Sequence, residues 1–233
     1  FGMRHENVNV LNFNEIILLE DNVFNIRLDD FYNAEKWYSF NSYRKVSVAA
    51  DGSQVKTNLN INLDEMSSSN APFSIIKFEA KLLKYNYLNL NYGNEGIYLS
   101  LFKEAEKLLE FQQNIFRMND MTYNFILDIN YSYQYDVKEK FKRYSVLSEI
   151  LQDIELKINK KEPSFFIIKV SNRNKLRKYL CDRQIYLPVH WVHNEVHNDL
   201  YQQLLSIPVF IQYTLSEIEY VGQSIRKFID EKH

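Results

Sequence analysis

With 233 residues, 45% hydrophobic and 25% charged, the chain is long enough to bury a sizeable core as one large domain or two small ones, with the composition of a soluble globular protein. Lys+Arg 28 against Asp+Glu 30 gives a net charge of -2, so no basic excess drives counterion release from a phosphate backbone, which argues against nucleic-acid binding. No apolar run approaches the roughly 18 residues of a membrane span, and the single cysteine, Cys181, rules out an internal disulfide and fits a reducing, cytoplasmic compartment.

In chain order, the run EIILLED over 15–21 predicts a buried parallel strand whose C-terminal end carries Asp21. Ligands collect at the carboxyl ends of strands in open α/β sheets, so Asp21 is a candidate site residue, with loop capping as the alternative. Strands are expected over 34–40 and 54–57, separated by a turn at Asp51-Gly52, and a polar connection follows over 58–70. Three helices come next, over 72–89, 97–116 and 137–154, with breaks at Gly93, Gly96 and Asn119-Asp120. The C-terminal part reads as strand 164–170, helix 172–183, edge strand 185–191, helix 194–206, strand 207–210 and a last helix to Asp230. Thr214-Leu-Ser-Glu217 is a capping box opening that last helix, with Ile218, Val221, Ile225 and Ile229 on one face.

Between Trp37 and Ser53 the sequence WYSFNSYRKVSVAADGS runs from an aromatic strand through Ser42-Tyr43-Arg44-Lys45 to the Asp51-Gly52 turn. A lysine behind a strand and next to a serine is where a fold using an aldehyde cofactor carries its Schiff-base amine; the alternative is a solvated loop lysine. There is no G-x-G-x-x-G, P-loop or G-x-S-x-G. His190, His193 and His197 are spaced for one helical face, but His190 belongs to the strand ending at Trp191, so loop and cap roles are expected and no metal site.

Taken together, LLED ending at Asp21, a following strand, S-x-R-K with Lys45 and the D-G turn resemble the fold-type I pyridoxal-phosphate aminotransferases. Within these the chain looks like the DegT/DnrJ/EryC1/StrS sugar-aminotransferase branch. The tail NRNKLRKYLCDRQIYLPVHW followed by LLSIPVFIQYTLSEIEYVGQSIRKFI is similar to that branch's C-terminal domain in order and spacing. GIYLSLFKEAEKLL and EKFKRYSVL resemble its middle helices, so the likeness covers essentially the whole chain.

The resemblance implies an α/β fold: the C-terminal part of a fold-type I large domain, mainly parallel sheet with helices, plus a small C-terminal α+β domain. Its divisions are 1–70, the remainder of the cofactor-binding large domain; 71–155, connecting helices; and 156–233, the small domain. It implies that Lys45 forms the Schiff base with pyridoxal 5'-phosphate and then moves protons as a base, helped by desolvation and the cationic Arg44. Asp21 would pair with the pyridinium nitrogen, Ser42 would bind the phosphate, and Asp51-Gly52 would support the lysine loop. His190 and Trp191 would stand near the substrate at the active-site mouth. The implied reaction moves an amino group from an amino acid to a keto acceptor, a nucleotide-linked keto sugar, in polysaccharide or cell-envelope synthesis, within a homodimer.

Three departures stand against the pattern. Phe24 replaces a usual His or Gln, Asn22 replaces a small residue, and the chain starts without methionine in what reads as a loop. The expectation is therefore a fragment lacking roughly 100–150 N-terminal residues that hold the rest of the phosphate site. The competing reading is a truncated or degenerate, non-catalytic relative that binds partners.

Overall fold

The structure, a computed structural model, describes residues 13–28, 34–62, 68–157, 162–190 and 200–231. Packing divides the chain into two compact units, one within Asn7–Tyr133 and one within Gln134–His233.

In the first unit, β1 (Phe13–Asp21) and β2 (Ala34–Phe40) run parallel and β3 (Val55–Thr57) returns antiparallel along β2, giving the order β1-β2-β3. The strand at 34–40 is thus where the sequence puts it. Trp37 is buried against Ala34 and Leu18, and its N–H donates to Asn58 Oδ1 at 3.1 Å. The expectation that β1 is buried is overturned. Ile16, Ile17 and Leu19 are 53%, 56% and 66% exposed. Among the described residues β2 is the one ladder partner of β1, and three of the four side chains of its apolar run are left exposed.

After β2 the chain makes the one-turn helix α1 (Tyr43–Val46), crosses β3, and enters α2 (Ala71–Leu90). Asn70 caps α2 by accepting the Phe73 N–H at 3.4 Å, and Pro72 sits in the first turn, where no intrahelical donor is needed. Asn91 ends the helix with φ 51, the left-handed conformation that asparagine tolerates. Asn94 then accepts the Gly96 N–H at 2.7 Å and starts α3 (Glu95–Glu110). α2 and α3 pack against each other, with Ala80 and Ala105 fully buried and the Tyr87 and Tyr98 rings 5.7 Å apart. α3 stops at Glu110 rather than 116: Phe111 N–H makes the last helical bond, to Lys107 O, and Gln112 N–H then tightens onto Leu109 O at 3.2 Å as the chain leaves the helix.

α4 (Asp120–Leu151) starts in the first unit and ends in the second, beginning well before the expected 137. In its first half the usual pattern of apolar residues inside is blurred: Tyr123, Leu127, Tyr131 and Tyr135 form an exposed, largely aromatic row, while Thr122, Ile126 and Tyr133 face inward.

The second unit pairs β4 (Phe165–Lys169) antiparallel with β5 (Leu204–Pro208), flanked by α5 (Arg173–Cys181), the short α6 (Leu200–Gln203) and α7 (Leu215–Asp230). Tyr144, Leu147 and Leu151 of α4 join Phe166, Ile168, Leu176, Leu180, Ile207, Ile225 and Phe228 in one core. Gly222 lets α7 approach α4: a Cβ there would stand 2.9 Å from Ile150 Cδ1. The capping box is present, Thr214 Oγ1 accepting the Glu217 N–H at 3.2 Å and Glu217 Oε2 accepting the Thr214 N–H at 2.7 Å.

Two expectations are corrected here. Residues 185–190 lie outside any ladder, tied to β5 by the Ser206 N–H donating to Pro188 O at 3.4 Å and by His190 Nδ1 beside Ser206 Oγ at 2.9 Å, since Pro188 offers no donor of its own. Leu204, Leu205 and Ser206 are strand rather than helix, because pairing with Lys169, Ile168 and Ile167 wins over the helical reading.

Candidate active site

The parallel register sets Asp21 opposite Phe40. Past Phe40 and Asn41 come Ser42, the residue before α1, and Lys45 within it, so the carboxylate and the lysine turn leave the same end of two adjacent strands. That is the carboxyl end, where α/β sheets gather ligands.

Asp21 is exposed, and its Oδ1 accepts the Val23 N–H at 3.0 Å. This local bond turns the chain after β1 and uses one carboxylate oxygen. Asn22 has a structural account: it donates to Ser39 Oγ at 2.9 Å and to Glu20, and accepts from Asn25 Nδ2 at 2.8 Å. It is built into the turn, where a small residue would leave Glu20 and Ser39 without that donor.

The Lys45 turn is held from several sides. Asn41 is fully buried; its amide donates to Ile26 O at 2.9 Å and its Oδ1 accepts the Gln54 N–H at 2.8 Å. The Tyr43 N–H donates to Gly52 O at 3.1 Å, and the Tyr43 ring is buried with Ala49 and Ile126. Lys45 N–H bonds Ser42 O at 3.0 Å, while the Ser42 side chain makes no capping bond. Asp51 accepts from the hydroxyls of Ser74 and Thr122 and from the Asn119 N–H at 3.1 Å. Gly52, at φ 88, lies so close to Thr122 that a Cβ would stand 2.8 Å from its Cγ2.

A cluster of cations surrounds this turn. Lys77 and Arg44 both reach Glu106, Arg44 at 3.3 Å, and Lys77 lies 4.9 Å from the Phe102 ring centroid. Lys81 Nζ donates to three carbonyls of the turn, Ala49 at 2.6 Å, Ser47 at 2.9 Å and Arg44 at 3.1 Å. Burial, then Lys77, Arg44 and Lys84, bring the Lys81 ammonium down to about 8. Lys45 as a residue is exposed, yet desolvation of its amine, then Arg44 and Lys77, hold it below the ordinary lysine range, with Glu106 opposing. Its amine is therefore neutral more often at neutral pH than that of a free lysine.

Lys81 and Asn41 were not singled out from the sequence. Lys81 does leave a trace, since Phe73, Lys77 and Lys81 repeat every four residues and place two lysines on the stripe of α2 that faces inward. His190 lies in the second unit, its Nδ1 2.9 Å from Ser206 Oγ and its ring edge-on to Phe165 at 4.8 Å. Trp191, His193 and His197 lie outside the described residues. Among the described residues, no group of three or more His, Cys, Asp or Glu is placed to hold a metal, and no helix is long and apolar enough to cross a membrane.

This helix-rich α/β chain has the fold of the fold-type I aminotransferases over part of their length. Among the solved structures it matches are sugar aminotransferases of the DegT/DnrJ/EryC1/StrS type. The putative sugar aminotransferase Spr1654 from Streptococcus pneumoniae, in its PMP form, aligns with a TM-score of 0.59 at 11% identity, covering 93% of this chain and 59% of that one. A DegT DnrJ EryC1 StrS aminotransferase from Brucella abortus aligns at 0.51 and 13%, covering 90% and 56%. S. venezuelae DesV, solved with a ketimine intermediate, aligns at 0.51 and 13%, covering 84% and 52%. The chain thus spans between half and three-fifths of their length. At these identities the likeness is one of fold. No protein-family model and no curated protein matches the chain.

Proposed function

We propose that the chain is part of a pyridoxal-phosphate-dependent aminotransferase and carries the lysine to which that cofactor attaches, Lys45. The observation that supports this most is the register placing Asp21 opposite Phe40, so that carboxylate, hydroxyl and amine leave one end of a parallel strand pair. The residues present fit the group at three points: an amine with lowered proton affinity, a carboxylate with one oxygen committed to a local bond, and a serine hydroxyl making no capping bond. Lys45 Nζ would hold the cofactor and accept and return the substrate proton; Asp21 would hold the ring nitrogen and Ser42 the phosphate. When bound, the cofactor supplies an electron sink for charge developing at an amino-acid α-carbon.

By the same reading the acceptor is a nucleotide-linked keto sugar, as the sugar aminotransferases among the structural neighbours suggest, with a role in polysaccharide or cell-envelope synthesis in the cytoplasm. The protein would act as a homodimer, the exposed aromatic row of α4 offering apolar area for such a surface. His190 and Trp191 would stand near the substrate, and the divisions at 70 and 155 would separate large domain, connecting helices and small domain.

A second reading is a non-catalytic relative that binds a partner. Phe24 in place of a polar ring-contact residue, and the open, exposed setting of Asp21, favour it.

The experiment is direct. Incubation of the 233-residue chain with pyridoxal phosphate, borohydride reduction and peptide mass analysis should put the adduct on Lys45, and Lys45→Ala should remove it. Labelling spread evenly over surface lysines, and unchanged in the variant, would reject the cofactor assignment and leave the second reading.

A further inference from the structure

Lys81 is a half-buried lysine whose three acceptors all belong to the segment carrying Lys45. Ammonium groups have three N–H bonds, and here they are spent on three carbonyls within six residues of chain, 44, 47 and 49, at 2.6–3.1 Å. No carboxylate is salt-bridged to Lys81 among the described residues; Glu106 is engaged by Lys77 and Arg44. Backbone carbonyls converging on one cation fix the backbone more than they neutralise the charge. A surface lysine pairing with an acid would do the opposite.

We propose that Lys81 is a positioning residue for Lys45: its ammonium gathers the Arg44, Ser47 and Ala49 carbonyls and so fixes the turn on which the Lys45 amine stands. The setting of Lys45 depends on this. Its amine is lowered first by desolvation and next by Arg44, its neighbour in the same turn. The Lys81 bonds tie this turn to α2, and with it the packing that partly desolvates the Lys45 amine. The charged groups around Lys81 are Arg44 of α1, Lys77 and Lys84 of its own helix, and, through Lys77, Glu106 of α3. In the aminotransferase reading this makes Lys81 a support for the cofactor lysine, and that part rests on the proposed function; the positional claim itself does not.

Competitive acetylation with acetic anhydride across pH 6–11, read by peptide mass analysis, reports the proton affinity of Lys45 without any cofactor. In Lys81→Met the turn should loosen, the amine should become more fully hydrated, and the Lys45 profile should move up toward an ordinary lysine. Labelling at pH 8 should fall about tenfold for each unit of that move. Lys81→Arg, which keeps charge and donors, should bring the profile back. Circular dichroism monitors folding, and Lys81→Gln, shorter and neutral, repeats the test if the methionine variant does not fold. An unmoved Lys45 profile in a folded Met or Gln variant overturns the proposal, as does an equal shift in the arginine variant. Because acetic anhydride needs no cofactor, failure of Lys45 to take pyridoxal phosphate would leave this result untouched.

Discussion

Asp51 and Asn119 are 68 positions apart, and the Asn119 N–H donates to Asp51 Oδ2 at 3.1 Å. The same carboxylate accepts from Ser74 at the start of α2 and Thr122 at the start of α4. One short side chain after the lysine turn therefore ties that turn to the beginnings of two helices, which a turn-forming aspartate read from sequence does not reveal.

Asp51→Ala should cost on the order of 2–4 kcal/mol, since three donors lose their charged acceptor at once. Urea denaturation would measure it. A change below about 0.5 kcal/mol, the range of ordinary surface substitutions, would mean the three bonds add nothing net.

Gly52→Ala and Gly222→Ala should both destabilise, for different reasons. At Gly52 the left-handed φ of 88 adds backbone strain to the close approach to Thr122 Cγ2. At Gly222 the new Cβ meets the Ile150 side-chain tip at 2.9 Å and Leu147 Cδ2 at 3.3 Å, so α7 must move off α4 or those side chains must shift. About 1–3 kcal/mol is expected at each, read from thermal unfolding, with Gly52 the larger.

Lys81 gives a pH dependence with a definite sign. Its folded value of about 8 lies below the 10.5 of an ordinary lysine, so between the two the unfolded chain binds more protons. Stability contributed by this group therefore rises with pH across that window, by at most about 3 kcal/mol. The difference in unfolding free energy between wild type and Lys81→Met should grow in favour of wild type from pH 7 to pH 10. A difference that is flat or shrinks would show that the three carbonyls outweigh burial and like charge.

In the second unit, Lys140 Nζ and Glu162 Oε1 stand 2.9 Å apart with side chains only 5% and 3% exposed. Lys140→Met should destabilise by about 3–5 kcal/mol, because Glu162 stays buried without this cation. The double variant Lys140→Met/Glu162→Leu should recover most of that loss in chemical denaturation. Equal loss in both would point to packing, not charge, as the cause.

What could be read from the chain alone was whatever is settled within a turn or two of backbone. The Thr214–Glu217 capping box fixed the start of α7, Pro72 the start of α2, and the Val/Ile/Phe run the strand at Phe165–Lys169. The Asp21 and Lys45 pattern could be read too, as could the parallel direction of β1 and β2. The exposure of β1 could not, because an apolar run records a preference for cover and not whether cover is there. Leu204–Ser206 became strand only because Ile167–Lys169 lay alongside to pair with it, and residues 185–190 stayed out of the sheet because proline removed a donor. The partners of Asp51 and of Lys81 come from elements far away in the chain, so only the tertiary structure brings them within hydrogen-bond reach. Local bonds have both partners in one stretch of sequence, whereas long-range ones depend on which surfaces meet when the helices close on the sheet.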